Sequence, residues 1–295
     1  MEQEFRKFVK ESIIPVLEHP DYLQMLIRAP IANMRDKQSG VRIDQAKEII
    51  EVFVQESIQA FDLIERCYDK SSSILEVGGG IGLVNIWLQV TGYDVKSIEP
   101  SGGGHDDYYA IGSYLVKELK LDSERWVDLS VEDVSSLDQT FDLLFSYNVL
   151  EHIKDVDIAF DQMKQCLNGN GVMRHGCPNY AIPYEPHYGI PLLPGLEVYT
   201  PILLPYLRGE SLWNSLNFIK AKKLQKVCEK HKLNLVFDRG STHAAVERLY
   251  YDRSFSQRHE ILAYIFRFIK RTPLLTWIKS IPPQYATPMS FSIRF

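Results

Sequence analysis

Nine consecutive residues, Ile74-Leu-Glu-Val-Gly-Gly-Gly-Ile-Gly82, restrict the folds open to this chain more than any other feature. Ser73–Val77 reads as a buried strand. Leu83–Val90 has helical spacing and is stopped by Gly92. Between them, glycines let the backbone turn tightly and approach a ligand closely, where a Cβ would obstruct both. A strand, a glycine loop and a helix begin a nucleotide-binding βαβ unit, but do not by themselves say which nucleotide. Glu76 is more discriminating. A carboxylate beside the loop repels a pyrophosphate and favours a ligand that carries positive charge. One βα unit later, Glu99 follows the strand Val95–Ile98, where a carboxylate can accept hydrogen bonds from ribose hydroxyls.

The alternation continues along the chain. Arg125–Leu129, Phe141–Tyr147 and Gly171–Gly176 read as strands three to five, and the helix Lys220–His231 feeds a sixth, Leu233–Asp238. Met289–Phe295 alternates like a last, antiparallel strand. The prediction is an α/β fold with a Rossmann-like, mainly parallel seven-stranded sheet. Residues 1–70 read as helices, with Pro15, Pro20 and Pro30 breaking the early part and Val41–Tyr68 forming the longest run. Pro178–Leu207 is too long for a plain connection and reads as a functional loop. The expected organisation is a helical lid over 1–70, a core over 71–246 containing the loop 178–207, a helical insertion over 247–287, and a final core strand over 288–295.

The exclusions are few but useful. A net charge of −5 gives no global attraction to nucleic acid. Cys67, Cys166, Cys177 and Cys228 form no C-x-x-C pair, so free thiols and no metal are expected. The charged start lacks a secretory apolar core and no run is long enough to span a bilayer, so a cytoplasmic location is expected.

The glycine motif with its preceding acid resembles the first motif of the class I S-adenosylmethionine (SAM)-dependent methyltransferases. The resemblance runs over Ser71–Asn179. Phe141-Asp-Leu-Leu-Phe-Ser-Tyr-Asn-Val-Leu-Glu-His-Ile153 is similar to the fourth-strand motif of small-molecule O-methyltransferases of the ubiquinone-biosynthesis type, and Cys177-Pro-Asn179 follows the fifth strand. The resemblance implies SAM as cofactor. Glu76, Gly78 and Gly80 would surround its methionine part, Glu99 its ribose, and Asn148 would sit near the methionine end, with Gly82 also counted in the cofactor site. Ser130, Val131 and Glu132 would flank the adenine, although Ser130 stands where many relatives carry an Asp. Ser101-Gly-Gly-Gly-His105 reads either as a flap over the cofactor or as a flexible connection.

Methyl transfer needs acceptor, methyl and sulfur in line with water kept away, and a hydroxyl acceptor must also lose a proton. His187, in Pro183-Tyr-Glu-Pro-His-Tyr-Gly189, is the preferred base and His152 the second choice. Tyr184, Glu185 and Tyr188 are expected to hydrogen-bond the acceptor. Arg28, Arg35 and Arg42 are equipped to meet an anionic group on it, although solvated arginines on a surface are the commoner case. The N-terminal helices are expected to cover the sheet's carboxyl edge.

Between Arg248 and Lys279 seven basic residues stand against two acids. Ile261, Leu262, Ile265, Phe268 and Ile269 share a helical face, with Tyr264, Phe266 and Trp277 adding aromatic bulk. Packing on the core or on a second copy as a homodimer is the favoured reading, and peripheral membrane contact through 248–279 the other. The expected function is methyl transfer from SAM to a small-molecule or lipid-linked acceptor, a carbohydrate among them, most simply at oxygen. N-methylation, or a silent SAM-binding regulatory subunit, are the alternatives.

Overall fold

The computed structural model describes residues 1–28, 43–102, 106–269, 272 and 277–295. Its centre is a seven-stranded sheet: β1 (Ser73–Val77), β2 (Asp94–Ile98), β3 (Trp126–Val127), β4 (Phe141–Tyr147), β5 (Leu167–Cys177), β8 (Asn234–Phe237) and β9 (Met289–Arg294). Two further short strands, β6 (Tyr184–Glu185) and β7 (Ile190–Pro191), form a separate ribbon. In the large sheet the order is β3-β2-β1-β4-β5-β9-β8. The first five pair in parallel, and β9 runs antiparallel to both β5 and β8. This is the Rossmann-like arrangement expected from the alternation of strands and helices.

The strand order reverses between β1 and β4. Chain segments leaving these two strands diverge to opposite sides, which opens a crevice at their carboxyl ends. β4 is apolar along nearly its whole length because it is covered on both faces. One face packs on Glu2–Phe8, Ile43–Ile64, Leu83–Val90 and Asp106–Glu118, through residues such as Phe5, Phe61, Ile86 and Leu115. The other packs on Val156–Gln165 and Ala221–His231, through Phe160, Met163 and Leu224. Asp155 starts the first of these helices by accepting from the backbone N–H groups of Asp157 and Ile158.

Residues 178–207 are not an open loop. With 208–218 they fold around a third apolar cluster of Tyr180, Tyr188, Ile190, Leu207, Trp213 and Leu216. The third strand is only two residues long, because Ser130 already caps a 3₁₀ turn over Val131–Leu137. The boundary expected at 246/247 falls inside the helix Ser241–Tyr251, so the helical excursion starts directly after β8. Asn179 ties the return of that excursion to β5, donating to the carbonyls of Gln284 and Ala286.

The helix Glu260–Ile269 lays only part of its apolar surface on its own chain. Leu262, Ala263 and Ile269 turn inward, but Ile261, Tyr264 and Phe268 are 68, 63 and 67% exposed. With Ile265 they form an apolar stripe that faces solvent. No described helix is long and apolar enough to cross a membrane.

Candidate active site

A cavity of about 900 Å³ occupies the crevice at the carboxyl ends of β1, β2 and β4. Five acids (Glu56, Glu76, Glu99, Glu132 and Asp155) line it against one lysine, Lys154, and two histidines, His152 and His187. That balance suits a cationic ligand and opposes a polyphosphate.

The glycine-loop end is built by local sequence. Gly78, Gly80 and Gly82 have φ of +74°, +58° and +84°. A Cβ on Gly78 would stand 2.4 Å from Val149 Cγ2, so the loop is held against the segment after β4. Glu76, near the end of β1, is buried and accepts a 2.5 Å hydrogen bond from Ser97 Oγ. Ser97 in turn accepts from the buried Asn85 Nδ2 at 2.9 Å. Glu99 accepts from the Gly80 N–H at 2.9 Å. Burial pushes the Glu76 carboxyl up to about 7. Burial, with the neighbouring charge of Glu76, takes Glu99 to about 8 against the opposing Gly80 bond.

Gly78, Gly80, Ser130, Val131, Glu132 and Asn148 also line this cavity. Gly82 does not; it caps the helix Leu83–Val90 behind the loop. Ser130 hydrogen-bonds Glu132, so the two share one corner. Asn148 takes a left-handed backbone (φ +55°) and its Nδ2 donates to Glu56 Oε1 at 3.1 Å. Asn tolerates this conformation better than a branched residue. The wall opposite is the helix Ile43–Ile64, which contributes Val52, Phe53, Glu56, Ser57 and Ala60.

The histidine end is assembled from distant segments. His152 and His187 both reach the cavity, with ring centres 5.3 Å apart. His187 Nδ1 meets Glu185 Oε1 at 2.6 Å, and Glu185 also accepts from Tyr180 Oη and the Tyr188 N–H. Burial alone lowers the His187 pKa. The charge and hydrogen bond of Glu185, helped by Glu151, outweigh it and carry His187 to about 9. A ring held as a cation is a poor resting base, which weighs against direct proton abstraction by His187.

The three acceptor contacts expected from the 183–189 segment are not on the cavity wall. Tyr184 turns away to His259 Nδ1 at 2.6 Å, Glu185 stands behind His187, and Tyr188 packs edge-on against Trp213. The cause is the ribbon β6–β7, which folds on its own apolar cluster and commits these side chains inward. The Arg28 side chain, Arg35, Arg42 and His105 lie outside the described residues.

Sequence reasoning also passed over two acids. Glu151 stands next to His152 in the quoted fourth-strand motif, and it is wholly buried beside both histidines. Burial pushes it up to about 7, against the pull of His187. Glu56 lies in a helix whose amphipathic pattern accounts for it as a surface residue, and nothing in the sequence signals its position on the cavity wall.

Residues 53–236 match the methyltransferase domain family. An uncharacterized protein of Mycobacterium tuberculosis is 32% identical over 195 residues, covering 63% of this chain and 66% of that protein. This chain therefore spans slightly under two thirds of the relative's length. Among solved structures, geranyl diphosphate C-methyltransferase from Streptomyces coelicolor A3(2) aligns with TM-score 0.49 at 14% identity, over 90% of this chain and 84% of that one. The O-methyltransferase of a trans-AT PKS multienzyme of Brevibacillus brevis aligns with TM-score 0.49 at 11% identity, over 85% and 74%. With the family match covering the β1 loop, the sheet through β8 and most of the cavity wall, the chain belongs to the class I SAM-dependent methyltransferases.

Proposed function

We propose that this protein transfers the methyl group of SAM to a hydroxyl oxygen of a small or lipid-linked acceptor. The observation that carries this reading is one cavity with two chemically different ends. Glu76 and Glu99 stand at the glycine-loop end, and His152 and His187 at the other. In this reading Glu76 and the Gly78–Gly80 backbone hold the methionine part of SAM, Glu99 the ribose, and Ser130, Val131 and Glu132 the adenine. Asn148 lies between the two ends, beside the reacting methyl. The Ile43–Ile64 wall keeps water from the sulfonium, and residues 1–70 serve as the lid.

The reaction forms a carbon–oxygen bond as the carbon–sulfur bond breaks. The electron pair returns to sulfur and the acceptor's proton leaves at the histidine end. A neutral amine attacks with its free lone pair and sheds its proton only afterwards, so paired histidines favour oxygen over nitrogen. The test is calorimetry with S-adenosylhomocysteine (SAH) and with NADH, followed by transfer of labelled methyl to hydroxylated acceptors. Binding of SAH but not NADH, with label on oxygen, is the expected result. Uptake of NADH without SAH would overturn the reading. Tight SAH binding with no transfer to any acceptor would favour the silent subunit.

The exposed stripe on Glu260–Ile269 favours a lipid-linked acceptor within this reading. Ile261, Tyr264, Ile265 and Phe268 present an apolar surface, with the exposed Arg267 beside it. Such a helix sinks its apolar side into a bilayer interface and sets its cation among anionic headgroups. Co-sedimentation with vesicles of anionic phospholipid is expected, and the double change Ile261→Asp, Phe268→Asp should abolish it while leaving SAH binding intact. A concentration-dependent dimer that the same double change dissolves, with no vesicle binding, would assign the stripe to a second copy instead.

A further inference from the structure

We propose that Glu151, His152 and His187 form a binding site for a divalent transition-metal ion at the histidine end of the cavity. The sequence alone led to the opposite expectation, because the cysteines carry no metal-binding spacing.

The starting point is Glu151. Its side chain is fully buried, and neither carboxylate oxygen has a hydrogen-bond partner among the described residues. A buried acid without partners is costly, and native structures keep one where something else compensates it. Glu151 Oε1 lies 4.0 Å from His152 Nε2 and 3.7 Å from His187 Nε2. Those separations are too long for hydrogen bonds. They fall close to the roughly 3–3.5 Å expected between neighbouring donors that each sit about 2.1 Å from one ion. One ligand atom from each of the three residues lies within 4.8 Å of the other two.

The rings are oriented for the same purpose. Ser215 Oγ donates to the Leu212 carbonyl at 2.8 Å, so it accepts the hydrogen of His152 Nδ1 at 2.7 Å. Glu185 accepts the hydrogen of His187 Nδ1 at 2.6 Å. A bound ion would displace the Nε2 proton of His187, and each ring, held through its Nδ1–H, would then present the Nε2 lone pair on its Glu151 side. An oxygen acceptor behind the far nitrogen is what fixes the tautomer of metal-binding histidines. Charge agrees with geometry. Glu56, Glu151 and Glu185 cluster around the two rings, and among the described residues no Lys or Arg side chain forms an ion pair with any of them.

Two imidazoles and one carboxylate form a borderline donor set that suits Zn²⁺, Mn²⁺, Fe²⁺ or Co²⁺. Three protein donors leave positions open toward the cavity. The role of the ion rests on the proposed methyl transfer, whereas its binding does not. An acceptor hydroxyl placed against the ion becomes more acidic and releases its proton to water. Its oxygen then takes the methyl carbon while the electron pair of the broken bond stays on sulfur. On this assignment the histidines act on the hydroxyl through the ion rather than by taking its proton.

The test uses the full chain, stripped with a chelator and titrated with Co²⁺ and Zn²⁺, with SAH affinity measured on the same samples. One Co²⁺ per chain is expected, with visible absorption typical of nitrogen and oxygen ligation, displaced by Zn²⁺. His152→Ala and His187→Ala should each weaken binding by at least about 100-fold, and Glu185→Gln by roughly 10- to 100-fold. Glu185→Gln keeps the ligands in place and guards against variants that fail to fold. Absence of stoichiometric uptake of either ion would overturn the proposal, as would uptake that all three changes leave unaltered. Ion binding without SAH binding would sink the methyltransferase reading and leave the site standing. SAH binding without ion binding would do the reverse.

Discussion

The two ends of the cavity treat buried acids in opposite ways. At the glycine-loop end, Glu76 and Glu99 are each anchored by the protein, to Ser97 and to the Gly80 N–H. At the histidine end, Glu151 is equally buried and has no such anchor. Anchored acids offer a fixed shape that a ligand must match. An acid without anchors is completed only when something positive arrives. The lesson is that one end is built for recognition before binding and the other for assembly around a guest.

The largest expected effect comes from disturbing the anchored end. Gly78→Ala places a Cβ against Val149 in a backbone conformation that L-residues avoid. A cost of about 3 kcal/mol is expected from overpacking and strain combined, or a loss of SAH affinity of roughly 100-fold or more. Calorimetry reads it directly, and an unchanged affinity would mean the loop is not the recognition element.

Next in size, Glu99→Ala should lower SAH affinity by about 10- to 100-fold, the value of hydrogen bonds to a charged group. Cobalt uptake should stay within about twofold in the same variant, as independent sites require. Coupled losses would erase the contrast between the two ends.

A smaller effect is expected in pH. Glu76 and Glu99 have folded-state pKa values of about 7 and about 8, above the ordinary 4.5. The folded, cofactor-free protein therefore holds protons that the unfolded chain releases. That stabilisation is complete below the unfolded value and is lost as pH rises through about 7 to 8. Thermal midpoints of the cofactor-free protein should fall across this window. Saturating SAH should flatten the fall, because hydrogen bonds from its ribose favour the ionised carboxylate. Glu99→Gln should flatten it too. A midpoint that climbs with pH would contradict the assigned environment of both acids.

The same contrast explains what the sequence discloses. The glycine-loop end comes from one continuous stretch, so strand, turn and helix signals fall in register, and Ser73–Val77 and Leu83–Val90 match the structure residue for residue. Phe141–Tyr147 is equally plain because a strand covered on both faces has little freedom of composition. The histidine end draws on Glu56, Glu151, His187 and Ser215, whose meeting depends on tertiary packing and leaves no local pattern. Tyr184, Glu185 and Tyr188 have the right chemistry for acceptor contacts, but the β6–β7 ribbon directs them elsewhere. Periodicity in Glu260–Ile269 shows that an apolar face exists, yet cannot say whether anything covers it.

The position of β9 has a wider consequence. It pairs directly with β8, with Phe237 opposite Phe291, so the chain between the two strands leaves and re-enters the sheet at neighbouring points. In topology it is the loop of a hairpin. Lengthening or exchanging such a loop costs little closure entropy, about 0.6 kcal/mol for each doubling. The sheet can thus stay constant while this appendage is swapped, which makes it the natural graft point for redirecting the protein to other surfaces.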